Sequence, residues 1–311
     1  MNRFRFAVQA SAGAKSADEW SELANKAEEL GFSTLFVPDH LDDGQLSPIV
    51  AMTAAAMSTT TLKVGSLVFN NDYRHPVLLA REMATLDVLS GGRLEVGIGA
   101  GWKRTDYDQT GIEYDKPGAR IARLGESIEI ITSLLKNGTS SFSGSYYSTK
   151  GAVGLPTPVS PGGPTLIIGG GGRKILSLAA RYADIVGINP SLAAGEIGED
   201  LINSVSPERF DERVAWVREA AQDRFESIEL QCLTFIVSVV EDRHSWLNQV
   251  GPQFGLNAEQ ILEVPIVLVG TEDQIVATLI ERRERFGLSY WVIHQHEMDD
   301  FAPVVRKLSG R

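Results

Sequence analysis

The sequence predicts an α/β fold of the (β/α)8 TIM-barrel class, and three observations lead to this prediction. Short β-rich runs alternate with amphipathic helical segments along the chain, which is typical of parallel βα units. The sequence contains eight such strand–helix pairs. Its 311 residues are also enough for a TIM barrel, which needs about 250. No Pro/Gly-rich linker divides the chain, so residues 1–311 are expected to form a single domain.

The strand candidates are rich in β-branched and aromatic residues and are bounded by turn residues. They lie at residues 4–10, 34–37, 62–69, 93–98, 164–168, 184–188, 228–240 and 290–295. Helical segments separate them, so one parallel sheet is expected to close on itself as a barrel.

The first helix has a clear start and end in the sequence. Ser16 is expected as its N-cap, and Glu19 is placed to complete a capping box. Gly31 then ends the helix, because glycine readily adopts the left-handed conformation found at helix C-termini. The stripe expected to face the core consists of Trp20, Leu23, Ala27 and Leu30.

Later helices are indicated by periodicity and by start signals. Apolar residues recur three and four apart in segment 121–135, which is the clearest helical pattern in the chain. Further helix starts are expected at His75-Pro76, Ser206-Pro207 and Thr271. The last helix places four apolar side chains on one face: Phe301, Val304, Val305 and Leu308.

The chain exceeds a minimal barrel by about 60 residues, and two segments account for this surplus. One lies after the fourth helix, between Asn137 and Pro164, and is rich in Gly, Ser, Tyr and Pro. The other lies after the seventh strand, from Arg243 to Val269. Both are expected to be insertions into an otherwise complete barrel.

Charge and cysteine content exclude several classes of function. The formal net charge of -11 argues against a nucleic-acid partner and against anionic membranes, since both attract basic surfaces. No apolar stretch approaches the roughly 20 residues of a membrane helix, and the run after Arg5 is too short for a signal peptide. The single cysteine, Cys232, rules out an internal disulfide and a thiolate zinc cluster. A soluble cytoplasmic protein that acts on a small molecule is expected.

In a TIM barrel the active site lies at the carboxyl ends of the strands. Asp39 and His40, a carboxylate beside an imidazole, follow the second strand. Imidazole exchanges protons near neutral pH, so His40 is the candidate acid–base group. The alternative is that Asp39 caps the loop while His40 is partly exposed. The end of the third strand contributes further candidate binding residues: Ser66, Leu67, Val68 and Asn70.

A run of four glycines, Gly169, Gly170, Gly171 and Gly172, separates the fifth strand from a helix that begins at Arg173. Backbone without Cβ lets a ligand come close, and the free N–H groups of a helix N-terminus attract phosphate. The run is not a Walker A loop, because no Lys-Ser/Thr pair follows at the required spacing. It therefore predicts a phosphate site, to which Arg173 adds positive charge, with a flexible turn as the alternative.

Three alternate glycines, Gly97, Gly99 and Gly101, end the fourth strand, and Trp102 follows them. A dinucleotide-binding fingerprint does not fit, because the third glycine comes one residue early and no helix core follows. Close approach of a backbone segment or a flat ring explains the glycines better, with Trp102 as one wall. Packing of glycines inside the barrel is the alternative.

His294 and His296 alternate on the predicted last strand, so their imidazoles are expected on the same side. Such a pair can bind a metal in barrel hydrolases, which makes a metal-dependent hydrolase an alternative function. The remaining ligands would have to come from His40, His75 or scattered carboxylates. We expect no metal and place the two imidazoles in the wall of a substrate pocket.

Together these segments resemble the luciferase-like monooxygenase superfamily and, within it, the oxidoreductases that depend on the deazaflavin coenzyme F420. The resemblance rests on residues 38–40, 74–76, 86–93, 97–102, 169–170 and 179–184. It implies a TIM barrel, coenzyme F420, a homodimer and hydride transfer to or from a small organic substrate. FMN is the alternative cofactor, because the monooxygenase relatives share the glycine-rich loop.

The resemblance also implies roles for individual residues. A bulge near Ser66-Leu67-Val68, often with a non-proline cis peptide bond, would support the face of the ring. His40 would transfer a proton, and residues 169–173 would bind the ribityl phosphate. Sugar-phosphate dehydrogenases of this group carry an acidic residue after the strand-four glycines, where this chain has Trp102-Lys103-Arg104. Other ring contacts would come from Asp39, Asn70, Gly99, Gly101 and Trp102.

Overall fold

Strands and helices alternate along the chain as the sequence predicts. The computed structural model describes residues 2–11, 13–41, 44–191, 195, 204–251 and 257–311. The strands in these ranges are Arg5–Gln9 (β1), Thr34–Val37 (β2), Lys63–Ser66 (β3), Phe69–Asn70 (β4), Leu94–Gly99 (β5), Thr139–Ser143 (β6), Ser148–Val153 (β7), Thr165–Gly170 (β8), Ile185–Ile188 (β9), Glu229–Leu233 (β10), Ile236–Val239 (β11), Val267–Gly270 (β12) and Leu288–His294 (β13). The helices are Ala17–Glu29 (α1), Pro48–Ser58 (α2), Pro76–Ser90 (α3), Arg104–Thr110 (α4), Pro117–Asn137 (α5), Arg173–Tyr182 (α6), Pro207–Ala221 (α7), Arg243–Val250 (α8), Ala258–Glu263 (α9), Glu272–Phe286 (α10) and Met298–Leu308 (α11).

Eight of the described strands close into a parallel barrel, which confirms the predicted TIM barrel. Their order around the ring is β1, β2, β3, β5, β8, β9, β10 and β13. Pairing of Val64 in β3 with Leu94 in β5 closes one side, and pairing of β13 with β1 closes the other. Because the strands are parallel, their carboxyl ends share one end of the barrel. This end is called the barrel mouth below.

Apolar side chains fill both sides of the barrel wall. A buried layer crosses the interior, formed by Ala7, Phe36, Ile167, Ile185, Tyr290 and Val292. On the outside the strands pack against the helices, where Trp20, Ala24 and Ala27 of α1 are buried and Leu23 and Leu30 are half-buried. The filled interior places ligand space at the mouth. None of the described helices is both long and apolar enough to cross a membrane.

Helix ends follow the capping signals with one difference. The Ser16 hydroxyl accepts from the Glu19 N–H (3.1 Å), but the Glu19 carboxylate accepts from the Lys15 N–H (2.8 Å) instead of closing the expected box. A reciprocal capping box does form at Thr271 and Gln274, at the start of α10. The first turn of α1 is therefore held by two local hydrogen bonds with different geometry from the prediction.

Two predicted strands are wrong in their extent. The strand expected at 62–69 ends at Ser66 and resumes as β4, because the chain bulges at Leu67 and Val68. The strand expected at 228–240 leaves the barrel after Leu233, and its second half, β11, pairs with β12 instead. Apolar residues continue through both breaks, so periodicity alone could not locate the change of direction.

The two predicted insertions have defined structures. After α5, strands β6 and β7 form an antiparallel hairpin. Its tip lies against α5, where the N–H groups of residues 145–147 donate to the Glu126 carboxylate. The second insertion starts earlier than predicted, at Ile236, because β11 belongs to it. It also contains α8, α9 and β12, while residues 252–256 lie outside the described residues.

Candidate functional site at the barrel mouth

A bulge after β3 folds into the barrel mouth. The peptide bond between Leu67 and Val68 is cis, as the family resemblance implied. Gln9 Nε2 donates a hydrogen bond to the Leu67 carbonyl (2.9 Å), and Ser66 Oγ donates to the Gly97 carbonyl (2.7 Å). The bulge is therefore held by β1 on one side and by β5 on the other.

Glycines in β5 make room for this bulge. A Cβ on Gly97 would lie 2.0 Å from the Ser66 carbonyl oxygen, and one on Gly99 would lie 2.8 Å from a Val68 methyl carbon. Close approach of a backbone segment to this strand is thus confirmed, and the segment is the bulge. Contact between Gly99 and a cofactor ring stays a prediction.

Gly97→Ala is expected to destabilise the fold by about 1–3 kcal/mol, as overpacking of a filled core does. The added methyl group would have to displace the Ser66 carbonyl. Gly125→Ala is the matched control, because its Cβ would meet Leu178 at an ordinary 3.6 Å and alanine favours a helix by about 1 kcal/mol. Urea unfolding of both variants is the measurement, and equal midpoints would contradict the close packing.

The Asp39 carboxylate anchors the segment that follows the bulge. Arg74 donates from Nη1 to Oδ2 and from Nη2 to Oδ1 (3.1 Å), and the Asn70 N–H donates to Oδ2 (3.0 Å). Asp39 is only 5% exposed, so this ion pair is largely shielded from water. These partners account for the position of Asp39, and its contact with a ring stays a prediction.

His40 pairs with a carboxylate that the sequence analysis did not identify. Its Nδ1 lies 2.7 Å from Oδ2 of Asp106, which is 1% exposed. The Trp102 ring packs edge-on against the imidazole, with 5.5 Å between ring centroids. A carboxylate that accepts from Nδ1–H fixes the tautomer of the imidazole. Nε2 is then the nitrogen able to exchange a proton with a substrate.

Tyr107, the next residue on α4, links that helix to the loop after the bulge. Its hydroxyl donates to Asp72 Oδ2 (2.9 Å) and lies 3.2 Å from Asn70 Oδ1. Burial and the Asp72 carboxylate raise the pKa of Tyr107, so the hydroxyl stays a donor. At Gly101, where φ is +73°, a Cβ would lie 2.0 Å from this hydroxyl. Asn70 and Gly101, both predicted to contact the cofactor, therefore pack against Tyr107.

The glycine-rich loop joins β8 to α6, as predicted. A Cβ on Gly170 would collide with Ile175 (2.3 Å), and one on Gly171 would collide with the Pro190 carbonyl (2.3 Å). At Gly172, by contrast, no described residue lies within 4 Å of the added carbon. Gly172 is also the N-cap of α6 and provides no side-chain cap. The loop is thus packed on one side and open where the unpaired N–H groups of α6 begin.

Charged side chains near this loop differ from the expected set. Arg173, predicted to add charge to the phosphate site, donates from Nη2 to the exposed Glu219 carboxylate (2.8 Å). Arg213 of α7 instead donates from Nε to the Gly171 carbonyl (3.1 Å). At Gly169 a Cβ would lie 2.9 Å from the Asn189 side chain. The sequence contains no local signal for Arg213, because it reaches the loop only through packing of α7.

His294 and His296 lie near each other but not on one strand. β13 ends at His294, and His296 follows in a short 3-10 turn, with 6.0 Å between the ring centroids. Burial lowers the pKa of His294, and the neighbouring His296 adds to this effect. Within the described ranges no group of three or more His, Cys, Asp or Glu side chains could hold a metal ion. The hydrolase alternative therefore has no ligand set there, and a role in a substrate pocket stays a prediction.

The functional residue that sequence reasoning missed most clearly is Asp106. In the sugar-phosphate dehydrogenases that this chain resembles, an acidic residue directly follows the glycines that correspond to those of β5, where this chain has Trp102, Lys103 and Arg104. The chain instead carries the carboxylate in the first turn of α4, and that turn brings it to His40. An acidic residue in the first helical turn after a glycine-rich strand end is the signal that could have identified it.

Comparisons with known proteins identify the family of this chain. Residues 2–289 match the luciferase-like monooxygenase family. A 5,10-methylenetetrahydromethanopterin reductase from Archaeoglobus fulgidus is 35% identical over 166 residues, which are 53% of this chain and 47% of the relative. An F420-dependent glucose-6-phosphate dehydrogenase from Nakamurella multipartita is 33% identical over 187 residues, or 58% of this chain and 54% of the relative. The chain spans about half the length of these curated relatives.

The fold is shared with a solved protein over nearly its whole length. The structure of the coenzyme F420 dependent tetrahydromethanopterin reductase from Methanopyrus kandleri superposes with a TM-score of 0.77. The match covers 99% of both chains at 20% identity, and this likeness concerns the fold alone. Because the family match covers residues 2–289, the chain belongs to the luciferase-like monooxygenase family.

Proposed function

We propose that this chain, as a single domain of residues 1–311, is a coenzyme F420-dependent oxidoreductase that transfers hydride between the deazaflavin and a small organic substrate. The observation that carries the proposal is the geometry of two neighbouring strands at the barrel mouth. β3 ends in the bulge at Leu67 and Val68, and β2, which pairs with β3, is followed by the His40–Asp106 pair. The F420-dependent glucose-6-phosphate dehydrogenase among the relatives supports deazaflavin over FMN.

The residues present fit such a cofactor. The bulge at Ser66, Leu67 and Val68 would support the ring, and the phosphate would lie at the open side of Gly172, where helix N–H groups attract anions. When bound, the deazaflavin supplies the hydride chemistry. Further contacts are proposed for Asp39, Asn70, Gly99, Gly101, Trp102, Gly169, Gly170, Gly171 and Arg173.

His40 would exchange the proton that accompanies hydride transfer. Asp106 holds Nδ1, so Nε2 is the nitrogen presented to the substrate. His294 and His296 would line the substrate side of the pocket. The lowered pKa keeps His294 neutral at pH 7, and a neutral imidazole can both donate and accept a hydrogen bond.

Titration of the purified protein with coenzyme F420 and, separately, with FMN tests the proposal, with absorbance and fluorescence as the signals. We expect F420 to bind at low micromolar concentration and FMN to bind more weakly. Tight binding of FMN alone would move the assignment to a flavin monooxygenase. If neither compound binds below the high-micromolar range, the oxidoreductase proposal fails.

We further propose a homodimer, formed through a patch on α2 and α3 and active in the cytoplasm. Val50 and Met57 lie about two turns apart on α2, and Leu78 and Leu89 lie about three turns apart on α3, so each pair shares a face. All four side chains are between 51% and 69% exposed. A second copy of the chain would cover this patch by two-fold symmetry, the commonest arrangement in soluble oligomers.

Val50→Asp combined with Leu78→Asp is expected to convert the dimer to a monomer, because two carboxylates would be buried in an apolar contact. The matched control is Asn248→Asp with Gln249→Asp, which adds the same two charges on the exposed face of α8. Light scattering coupled to size-exclusion chromatography measures the mass of the wild type, the patch variant and the control variant. A wild-type monomer, or a dimer in the patch variant, would contradict the proposed interface.

A further inference from the structure

A buried arginine lies behind the glycine-rich loop. Arg213 of α7 is 3% exposed, and its Nε donates to the Gly171 carbonyl at 3.1 Å. Its Nη1 is also buried and has no hydrogen-bond partner among the residues that the structure describes. In the part of the chain that the structure describes, no carboxylate forms an ion pair with this guanidinium. Among the described residues, Arg213 is therefore a buried cation without a matching anion.

Such an arrangement is costly unless something offsets it. A buried charge without a counter-charge destabilises a fold, and an unsatisfied buried N–H adds to the cost. Burial lowers the pKa of Arg213, which reflects the same cost, yet a guanidinium remains protonated at neutral pH. A nearby anion would remove the imbalance, and the adjoining loop is the proposed site of the cofactor phosphate.

The hydrogen bond from Arg213 also sets the orientation of the loop. In a trans peptide unit the C=O and the following N–H point in opposite directions. With the Gly171 carbonyl turned towards Arg213, the Gly172 N–H points the other way. Gly172 lies where the loop is open: among the described residues nothing lies within 4 Å of a Cβ on Gly172, whereas Gly171 is backed by Pro190.

Glycine peptides rotate freely, so this orientation needs an external anchor. Arg173, the cation that the sequence places at the loop, does not supply one. Its guanidinium is paired with Glu219, and its side chain is 59% exposed. Arg213 approaches from the packed side instead and engages the loop backbone directly.

We propose that Arg213 is a positioning residue for the cofactor phosphate. It holds the Gly171–Gly172 peptide with its N–H towards the phosphate, and its charge compensates the bound anion from behind. This inference rests on the proposed function, because it requires a phosphate-bearing cofactor at the loop.

The test compares a cofactor with its phosphate-free form. Arg213→Met is titrated with coenzyme F420 and with the ribityl deazaflavin chromophore that lacks the phosphate. We expect the Kd for F420 to rise about tenfold, equivalent to about 1.4 kcal/mol, and the Kd for the chromophore to change less than about twofold. Arg213→Lys keeps the charge but loses the guanidinium geometry, so its Kd for F420 should lie between those of the wild type and of Arg213→Met. Arg209→Met, at an exposed position on the same helix, is the control and should leave both Kd values unchanged.

The outcomes separate the two proposals. If the Kd values for F420 and for the chromophore rise equally in the Arg213 variants, Arg213 has a merely structural role and the inference is overturned. An unchanged Kd for F420 would also overturn it. If Arg213→Met does not fold, Arg213→Lys decides by the same ratio of Kd values. If the wild-type protein binds neither ligand, the proposed function itself fails and the role of Arg213 fails with it.

Discussion

Replacement of His40 by alanine is expected to reduce kcat by about 10²- to 10⁴-fold, the range for loss of a general acid–base group. The variant removes the Nε2 proposed to exchange a proton with the substrate. The Asp39–Arg74 ion pair, which holds the segment after the bulge, is untouched, so affinity for coenzyme F420 should be unchanged. Turnover is measured with the best substrate from a panel of alcohols, sugar phosphates and unsaturated carbonyls, alongside the cofactor titration.

Asp106→Asn is the companion variant for this role. The amide keeps the size of the side chain but loses the negative charge, and its NH2 can donate to an unprotonated Nδ1, so the tautomer is no longer fixed and kcat should fall about 10- to 100-fold. Asp108→Asn on the same helix is the control, because its carboxylate is exposed and forms only a 3.9 Å contact with Arg104. Unchanged turnover in His40→Ala would refute the proton-transfer role. Loss of F420 binding in that variant would instead assign His40 to holding the cofactor.

Glu95→Ala is expected to destabilise the fold by about 3–5 kcal/mol, the range for breaking a buried ion pair. Glu95 is fully buried in the barrel interior. Its Oε1 accepts from Arg5 (2.9 Å) and Lys63 (3.1 Å), and its Oε2 accepts from the Tyr290 hydroxyl (2.8 Å). Removal of the carboxylate leaves these donors without their shared partner.

Urea unfolding of the wild type and of Glu95→Ala measures this loss. The control is Asp211→Ala, which breaks the exposed ion pair with Arg285 and should cost at most about 1 kcal/mol. A loss as small as that of the control would mean that the interior ion cluster does not stabilise the barrel.

The pH dependence of this effect follows from the pKa of Glu95. Burial raises the pKa, but Arg5 and Lys63 outweigh burial and lower it overall. The unfolded chain therefore binds the proton at a higher pH than the folded protein does. The stabilisation is complete above the ordinary carboxyl pKa of about 4.3 and is lost as the pH falls through the lowered folded value. The difference in unfolding free energy between the wild type and Glu95→Ala should stay constant from pH 7 to about 5 and shrink on further acidification. A difference that grows on acidification would contradict the lowered pKa of Glu95.

Much of the fold could be predicted because its signals are local. Ser16, Gly31 and the periodic apolar residues of segment 121–135 each act within a few residues of themselves. The extent of strands was less predictable. A strand pattern continues through Leu233 into β11, although the two halves pair with different partners. Partner choice depends on distant segments, and a local pattern carries no information about it.

The candidate site shows the same division. Asp39, His40 and the four glycines were named because their residue types carry chemistry wherever a parallel strand ends, whereas the bulge was implied only by the family resemblance. Asp106 was missed because its position in α4 is unremarkable until the helix folds back. Arg173 was named for its charge, yet it pairs with Glu219 on the surface. Charge in a sequence does not specify which way a long side chain turns.

By itself the sequence determined the barrel class, its two insertions and the mouth that carries the candidate site, since repeated βα units and glycine runs can be recognised locally. Only the tertiary structure decided which groups act together. His40 meets Asp106 across 66 positions, and Arg213 meets Gly171 across 42. Closure of the barrel sets these distances, because each loop is placed by the strand that precedes it and by the neighbours with which that strand pairs.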